Sequence, residues 1–112
     1  MTKQGTIVLV PFPFTDLSAT KVRPAVVISA VEHGDDVVLA FISSNVSRHE
    51  PFDIKIKNTD RNFNKTGLKG DSLLRIAKLA TLDRKIILGE LGIWGAEHLK
   101  QAKTNLKKLF SI

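Results

Sequence analysis

The chain has 112 residues, of which 17 are Lys or Arg and 11 are Asp or Glu, so its formal charge is +6. The length fits a single domain over residues 1–112. The absence of cysteine excludes disulfides, thiol catalysis and thiolate metal sites, and it suits a reducing cytoplasm. The excess of cations favours a polyanionic partner, with nucleic acid preferred over a membrane surface. No apolar run approaches the roughly 20 residues that a membrane helix needs.

The first half of the chain is predicted to form strands. Residues 6–10 are β-branched and apolar, and the Pro-Phe-Pro stretch that follows should end this strand. Residues 14–21 are small and polar, as in a loop. Two more apolar runs, at 24–31 and 37–43, flank the turn residues 33–36. These two runs are therefore expected to pair as an antiparallel hairpin.

The pattern changes twice in the second half. Residues 52–57 alternate, which predicts a half-buried strand with Asp53 on the charged face beside two lysines. Residues 58–70 are polar and predict a long surface loop. Residues 72–82 predict a strand, although their pattern also allows a helix, and residues 86–88 are ambiguous.

The C-terminal tail, from Ala96 on, is predicted to be a helix because its apolar residues recur at spacings of three and four. We expect Trp94, with Ile93, to anchor this helix, and His33 and His98 to lie on the surface. The apolar positions are Leu99, Ala102, Leu106, Leu109 and Phe110. The chain is thus predicted to be mainly β, a small barrel or curled sheet followed by an α-helix.

Several blocks of sequence resemble one protein family. Residues 5–16 and 22–29 resemble the start of the MazF/PemK (Kid) toxins, and residues 51–54, 70–73 and 80–83 look like the later blocks of that family. The blocks occur in the family's order and with similar spacing. The resemblance implies a small SH3-like barrel of the MazF/CcdB kind with a C-terminal α-helix.

The resemblance also implies a function. Such a protein would be the toxin of a type II toxin–antitoxin pair, an endoribonuclease that cuts single-stranded mRNA at short sequences by attack of the RNA 2′-hydroxyl. It would need no metal or other cofactor. Its expected partners are single-stranded RNA, a cognate antitoxin and a second copy of itself in a homodimer, with no membrane involved.

Three residues are the candidates for catalysis. Arg23 matches the family's phosphate-binding arginine, and a guanidinium can hold a phosphate by two hydrogen bonds. Ser43 stands where the family usually has a catalytic threonine, with Ser44 as the alternative if the register shifts by one. Arg75 matches an arginine of the Kid branch, for which charge stabilisation is a better role than proton donation. That branch has an aspartate general base two positions further on, where this chain has Ala77.

Four further residues are candidates for binding the RNA: Lys21, Arg48, His49 and Lys69. His49 follows the loop after Ser43, and its imidazole could also move protons near neutral pH. Aromatic stacking on bases is another possibility. The loop-adjacent aromatic residues are Phe12, Phe14 and Phe63.

Two other functions compatible with the sequence remain open. The chain could be a toxin like CcdB, which has a similar fold but acts by binding a protein target, gyrase, without catalysis. It could also be a degenerate family member that only binds nucleic acid. Substitution of Arg23 by alanine distinguishes the nuclease from the gyrase-binding toxin. The nuclease should lose RNA cleavage while it keeps its fold, whereas the gyrase-binding toxin should lose little activity.

Overall fold

The computed structural model describes residues 3–12, 21–29 and 34–112. Within these residues, antiparallel strands form one curled sheet in the order β4-β5-β3-β2-β1-β6, followed by helix α1. The strands are β1 (Thr6–Phe12), β2 (Lys21–Val27), β3 (Asp36–Ser43), β4 (Ile54–Ile56), β5 (Ser72–Asp83) and β6 (Gly89–Ile93). Helix α1 covers Ala96–Phe110, and short 3-10 helices cover Phe63–Thr66 and Arg84–Ile86. The predicted mainly β fold with a C-terminal helix is confirmed.

The central strands are buried on both faces of the sheet. On one face Ile7 and Ile42 pack in a cluster that includes Trp94 and Ala102. On the other face, alternate residues such as Val8 form a second cluster. Burial on both sides explains why these strands read as continuous apolar runs rather than as alternating ones. The remaining members of the second cluster are Val10, Ala25, Val27, Val37, Leu39 and Phe41.

Strand β1 continues beyond its predicted end. Pro11 lies inside the strand, opposite Val22 of β2. Strand β6 pairs with β1 only as far as Leu9. Among the described strands, Pro11 therefore has a neighbour on one side alone, and its missing N–H breaks no ladder on the other.

The predicted hairpin is confirmed, with adjusted limits. Strand β2 starts at Lys21 rather than at residue 24, and it pairs antiparallel with β3. Gly34, in the predicted turn, has a left-handed φ of 61°. His33 of the predicted turn lies outside the described residues, as do residues 30 and 31 of the predicted strand and residues 14–20 of the predicted loop.

The predicted strand over residues 52–57 is shortened to Ile54–Ile56, and the prediction for Asp53 is wrong. Asp53 is buried rather than on the charged face. The preceding Phe52 has a φ of 71°, which breaks the alternation expected of an extended chain. From Ile54 onward the alternation holds, with Lys55 exposed between two buried isoleucines.

Residues 72–83 form strand β5, so the helix that their pattern also allowed is not formed. Strand β6, at Gly89–Ile93, was not predicted.

Two glycines explain why the loop over residues 58–70 can pack directly on β6. A Cβ on Gly92 would collide with the backbone of Lys65 and Thr66, and a Cβ on Gly67 would collide with the backbone of Leu91. Glycine is rare in strands, so the sequence of β6 hides the strand that these contacts require.

Helix α1 is held to the sheet by Trp94, as predicted, because Trp94 and Ala102 are buried in one cluster. Ile93 is 56% exposed and takes no part in this anchor.

The prediction that His98 is a surface residue is wrong. Its ring stacks on Trp94 with 5.5 Å between centroids, and its Nε2 lies 3.0 Å from Oδ2 of Asp60. Among the described residues, no helix is long and apolar enough to cross a membrane.

Candidate functional site

The strand register brings the three candidate catalytic residues to one end of the sheet. Ala25 of β2 lies opposite Phe41 of β3. Phe41 also lies opposite Arg75 of β5, on the other side of β3. Two residues further in the same direction the chain reaches Arg23 on β2 and Ser43 on β3. Because strand side chains alternate, all three candidates are on one face of the sheet.

These residues line a cavity of about 210 Å³. Its lining consists of Arg23, Phe41, Ile42, Ser43, Asn45, Arg48, Arg75 and Lys78. We call it the basic cavity, since four of these residues are cationic and none is acidic. Such a concentration of guanidinium and ammonium groups fits a ligand that carries phosphate.

Arg75 is the most buried cation of the basic cavity, at 8% exposure. Its Nη1 donates to Oδ2 of Asp53 at 2.8 Å and to the carbonyl of Arg48 at 2.9 Å. Nη1 also lies 3.7 Å from Oε2 of Glu50. The Asp53 side chain is only 2% exposed, so the two charges form a buried ion pair that fixes the guanidinium.

Ser43 is oriented by the chain that follows it. Its Oγ accepts a hydrogen bond from the backbone N–H of Asn45 at 3.1 Å. Because the oxygen is the acceptor there, the hydroxyl hydrogen can be donated to a ligand in the cavity. The side chain is half-buried, whereas that of Ser44 is exposed.

An irregularity in β5 adds a residue that the sequence reading missed. Ala40 of β3 pairs with Leu79 and the next residue, Phe41, pairs with Arg75, so residues 76–78 have no partner on β3. This bulge lets Lys78 line the basic cavity together with Arg75. A lysine three positions after an arginine in a strand carries no signal of this, because a regular strand would put the two on opposite faces.

A second cavity, of about 610 Å³, also borders Arg23. We call it the apolar cavity, because its exposed surface is mostly apolar. Ser44 and Lys69 line it, and Arg23 and Ile42 line both cavities. The other lining residues are Leu9, Val22, Pro24, Gly67, Leu68, Gly70, Asp71, Ser72 and Leu91.

The remaining candidates lie in different places. Arg48 lines the basic cavity, whereas the exposed Lys21 and His49 line neither cavity. Phe63 is half-buried against the core, which does not suit stacking on a base. The side chain of Phe12 and the whole of Phe14 lie outside the described residues.

Together, the curled antiparallel sheet, the C-terminal helix and the cavity at the sheet end define a small β-protein with a cation-lined site. The sequence model of one protein family, the PemK-like, MazF-like toxins of type II toxin–antitoxin systems, matches residues 3–110 of the chain. The chain therefore belongs to this toxin family.

Solved structures share the fold along nearly the whole chain. An endoribonuclease in complex with its cognate antitoxin from a mycobacterial species has a TM-score of 0.77 at 16% identity, covering 100% of this chain and 97% of that one. The Mycobacterium tuberculosis toxin MazF-mt6 has a TM-score of 0.74 at 16% identity, covering 96% and 97%. MazF from Deinococcus radiodurans has a TM-score of 0.76 at 18% identity, covering 98% and 96%. No curated protein matches the chain by sequence.

Proposed function

We propose that the protein is an endoribonuclease that cleaves single-stranded RNA at its basic cavity without a metal ion. The observation that carries this proposal is the convergence of Arg23, Ser43 and Arg75 on that one cavity. Membership of the toxin family supports the proposal, since similar folds include proteins described as endoribonucleases.

In the proposed reaction the RNA supplies its own nucleophile. The 2′-oxygen gives its proton to a general base, for which the exposed Glu50 carboxylate beside Arg75 is the candidate. The 2′-oxygen then forms a bond to the adjacent phosphorus, while the bond from phosphorus to the 5′-oxygen of the next nucleotide breaks. Arg23 and Arg75 stabilise the charge that develops on the phosphate oxygens, and Ser43 donates a hydrogen bond to one of them. The leaving oxygen takes a proton from solvent. The products carry a 2′,3′-cyclic phosphate and a 5′-hydroxyl.

We also propose that an antitoxin restrains the enzyme by entering the apolar cavity. Solved relatives include MazE–MazF complexes from Deinococcus radiodurans. Arg23 lines both cavities, so a segment seated in the apolar cavity would cover it. Leu68 and Leu91 give the cavity apolar lining, and its two cations, Arg23 and Lys69, outnumber its one acidic residue, Asp71, which suits an acidic segment with apolar anchors. We expect Lys69→Glu to weaken inhibition by the antitoxin by a larger factor than it slows cleavage by the toxin alone.

Two copies are expected to form the active unit. Val22 is 48% exposed at the edge of the apolar cavity, which leaves an apolar side chain for a partner copy or for the antitoxin to cover. Light scattering of the purified toxin tests this expectation. A monomer at all concentrations that still cleaves RNA would contradict it.

The proposed nuclease activity is tested by incubating the purified protein with a long single-stranded RNA in EDTA. We expect discrete fragments that end in 2′,3′-cyclic phosphate. An oligonucleotide with a 2′-deoxy sugar at the mapped cleavage site should stay intact. Arg23→Ala should abolish cleavage, and Arg61→Ala, an exposed arginine outside the basic cavity, is the matched control. Intact RNA together with arrested growth on expression would contradict the proposal and favour a protein target.

A further inference from the structure

The hydrogen bonds of Arg75 are unevenly distributed over its guanidinium. Its contacts to Asp53, Glu50 and the carbonyl of Arg48 all use Nη1. Within the described part of the chain, Nη2 and Nε make no hydrogen bond or ion pair. The guanidinium is therefore held at one corner, and its other two nitrogens can bind a phosphate.

Asp53 is itself fixed by a turn closed in both directions. Its Oδ2 accepts from the backbone N–H of Glu50 at 2.8 Å, in addition to the bond from Arg75. Its own N–H donates to the carbonyl of Glu50 at 3.1 Å. The carboxylate is buried between these donors, so it cannot rotate to reach a substrate, and it acts only through the groups that it holds.

The turn includes a strained residue that helix α1 secures. Phe52 has a left-handed φ of 71°, which a bulky side chain seldom adopts unless the surroundings impose it. Asn105, in the second half of α1, donates from Nδ2 to the Phe52 carbonyl at 3.0 Å. Phe52 also packs against the core cluster. The helix thus holds the conformation that directs Asp53 towards Arg75.

We infer that the turn from Glu50 to Asp53, secured to α1 through Asn105, is a positioning element that sets the Arg75 guanidinium for the phosphate of the scissile nucleotide. This inference rests on the proposed nuclease function. Asp53 is a positioning residue and not a catalytic one. A carboxylate beside Arg75 lowers the net positive charge of the site, so its contribution lies in orientation rather than in the strength of RNA binding.

The distinguishing experiment uses Asp53→Asn, which keeps the shape and an acceptor oxygen but removes the charge. Initial rates are measured on a short RNA that contains the cleavage site mapped with the unaltered protein. Because small displacements of a catalytic group cost up to about a hundredfold in rate, we expect kcat to fall at least about tenfold. KM should fall or change by less than about threefold, since RNA binding loses no cation.

Asn105→Ala tests the connection to the helix. We expect a smaller loss of kcat, again without a rise in KM. Thr104→Ala is the matched control, because among the described residues the Thr104 hydroxyl bonds only to the carbonyl of Lys100 within the same helix. If Asp53→Asn does not fold, Asn105→Ala carries the test alone. A kcat equal to that of Thr104→Ala would then overturn the inference.

A double-mutant cycle with Arg75→Gln asks whether Asp53 acts through Arg75. Once Arg75 is absent, Asp53→Asn should lower kcat by less than about twofold further. Equal effects in both backgrounds would overturn the inference, as would full activity of Arg75→Gln or a kcat of Asp53→Asn equal to that of the unaltered protein. If the unaltered protein cleaves no RNA at all, the proposed function fails, which is a separate result.

Discussion

Ser43 and Ser44 are adjacent in the chain but line different cavities. Ser43 lies with Arg23 and Arg75 in the basic cavity, and Ser44 faces the apolar cavity with Lys69. The two candidates for one catalytic role are thus separated at the end of β3, because Ser43 is the last residue of the strand and the chain bends at Ser44. Of the two, Ser43 has the position that the proposed chemistry requires.

We predict that Ser43→Ala lowers kcat by about tenfold to a hundredfold, the equivalent of one hydrogen bond to a charged group. Ser44→Ala is the matched control and should retain kcat, because its hydroxyl lies outside the basic cavity. The measurement is the initial rate of RNA cleavage at saturating substrate. A larger loss of kcat in Ser44→Ala than in Ser43→Ala would contradict this prediction and would show that Ser44 supplies the hydroxyl.

The sequence was sufficient for the family and for the strand-rich fold with its C-terminal helix. Apolar runs and turn residues are local signals, and the hairpin that they define largely sets the register of β2 and β3. The burial of Asp53 was not predictable in this way. It depends on the left-handed φ of Phe52 and on a hydrogen bond from Asn105, 53 residues further along the chain. The position of Lys78 depends on a bulge that leaves no pattern in the sequence.

The buried pair of Arg75 and Asp53 should matter for stability as well as activity. We predict that Arg75→Ala lowers the free energy of unfolding by about 3–5 kcal/mol, because the 2% exposed Asp53 side chain is left without its cation. Adding Asp53→Ala should restore part of the loss. Urea unfolding followed by tryptophan fluorescence measures both. Arg48→Ala, at an exposed residue, should cost less than about 0.5 kcal/mol. A similar cost for Arg48→Ala and Arg75→Ala would contradict the assignment of a stabilising pair.

Lys78 should contribute to RNA binding mainly through charge. For single-stranded nucleic acid each phosphate contact contributes about 0.7 to the slope of log K against log salt concentration. We therefore predict that Lys78→Ala reduces that slope by about this amount. Lys100→Ala, on the exposed side of α1, should leave it unchanged. Binding is measured with an uncleavable 2′-deoxy-substituted RNA over a range of salt concentrations. Identical slopes for the two variants would exclude a phosphate contact by Lys78.

Glu50 is the exposed carboxylate beside Arg75, and Ala77 leaves the position of the Kid-branch aspartate without a titratable group. The Glu50 side chain is 60% exposed, and its backbone is fixed by the bonds to Asp53. We predict that Glu50→Gln lowers kcat by about a hundredfold or more, the usual effect of losing a general base. Glu97→Gln, at an exposed glutamate of α1, is the matched control. Unchanged activity of Glu50→Gln, with a loss in His49→Ala instead, would assign the proton transfer to the histidine.

The contact between β6 and the loop over residues 58–70 should depend on the absence of a side chain at Gly92. A methyl group there would overlap the carbonyl of Lys65 and the backbone of Thr66, which cannot move aside as a flexible side chain could. We predict that Gly92→Ala lowers the free energy of unfolding by about 1–3 kcal/mol, a typical cost of overpacking. Gly89→Ala in the same strand is the matched control, since a Cβ at Gly89 meets nothing within 4 Å. Equal stability of the two variants in urea unfolding would show that the loop does not pack on β6 as closely as the backbone positions require.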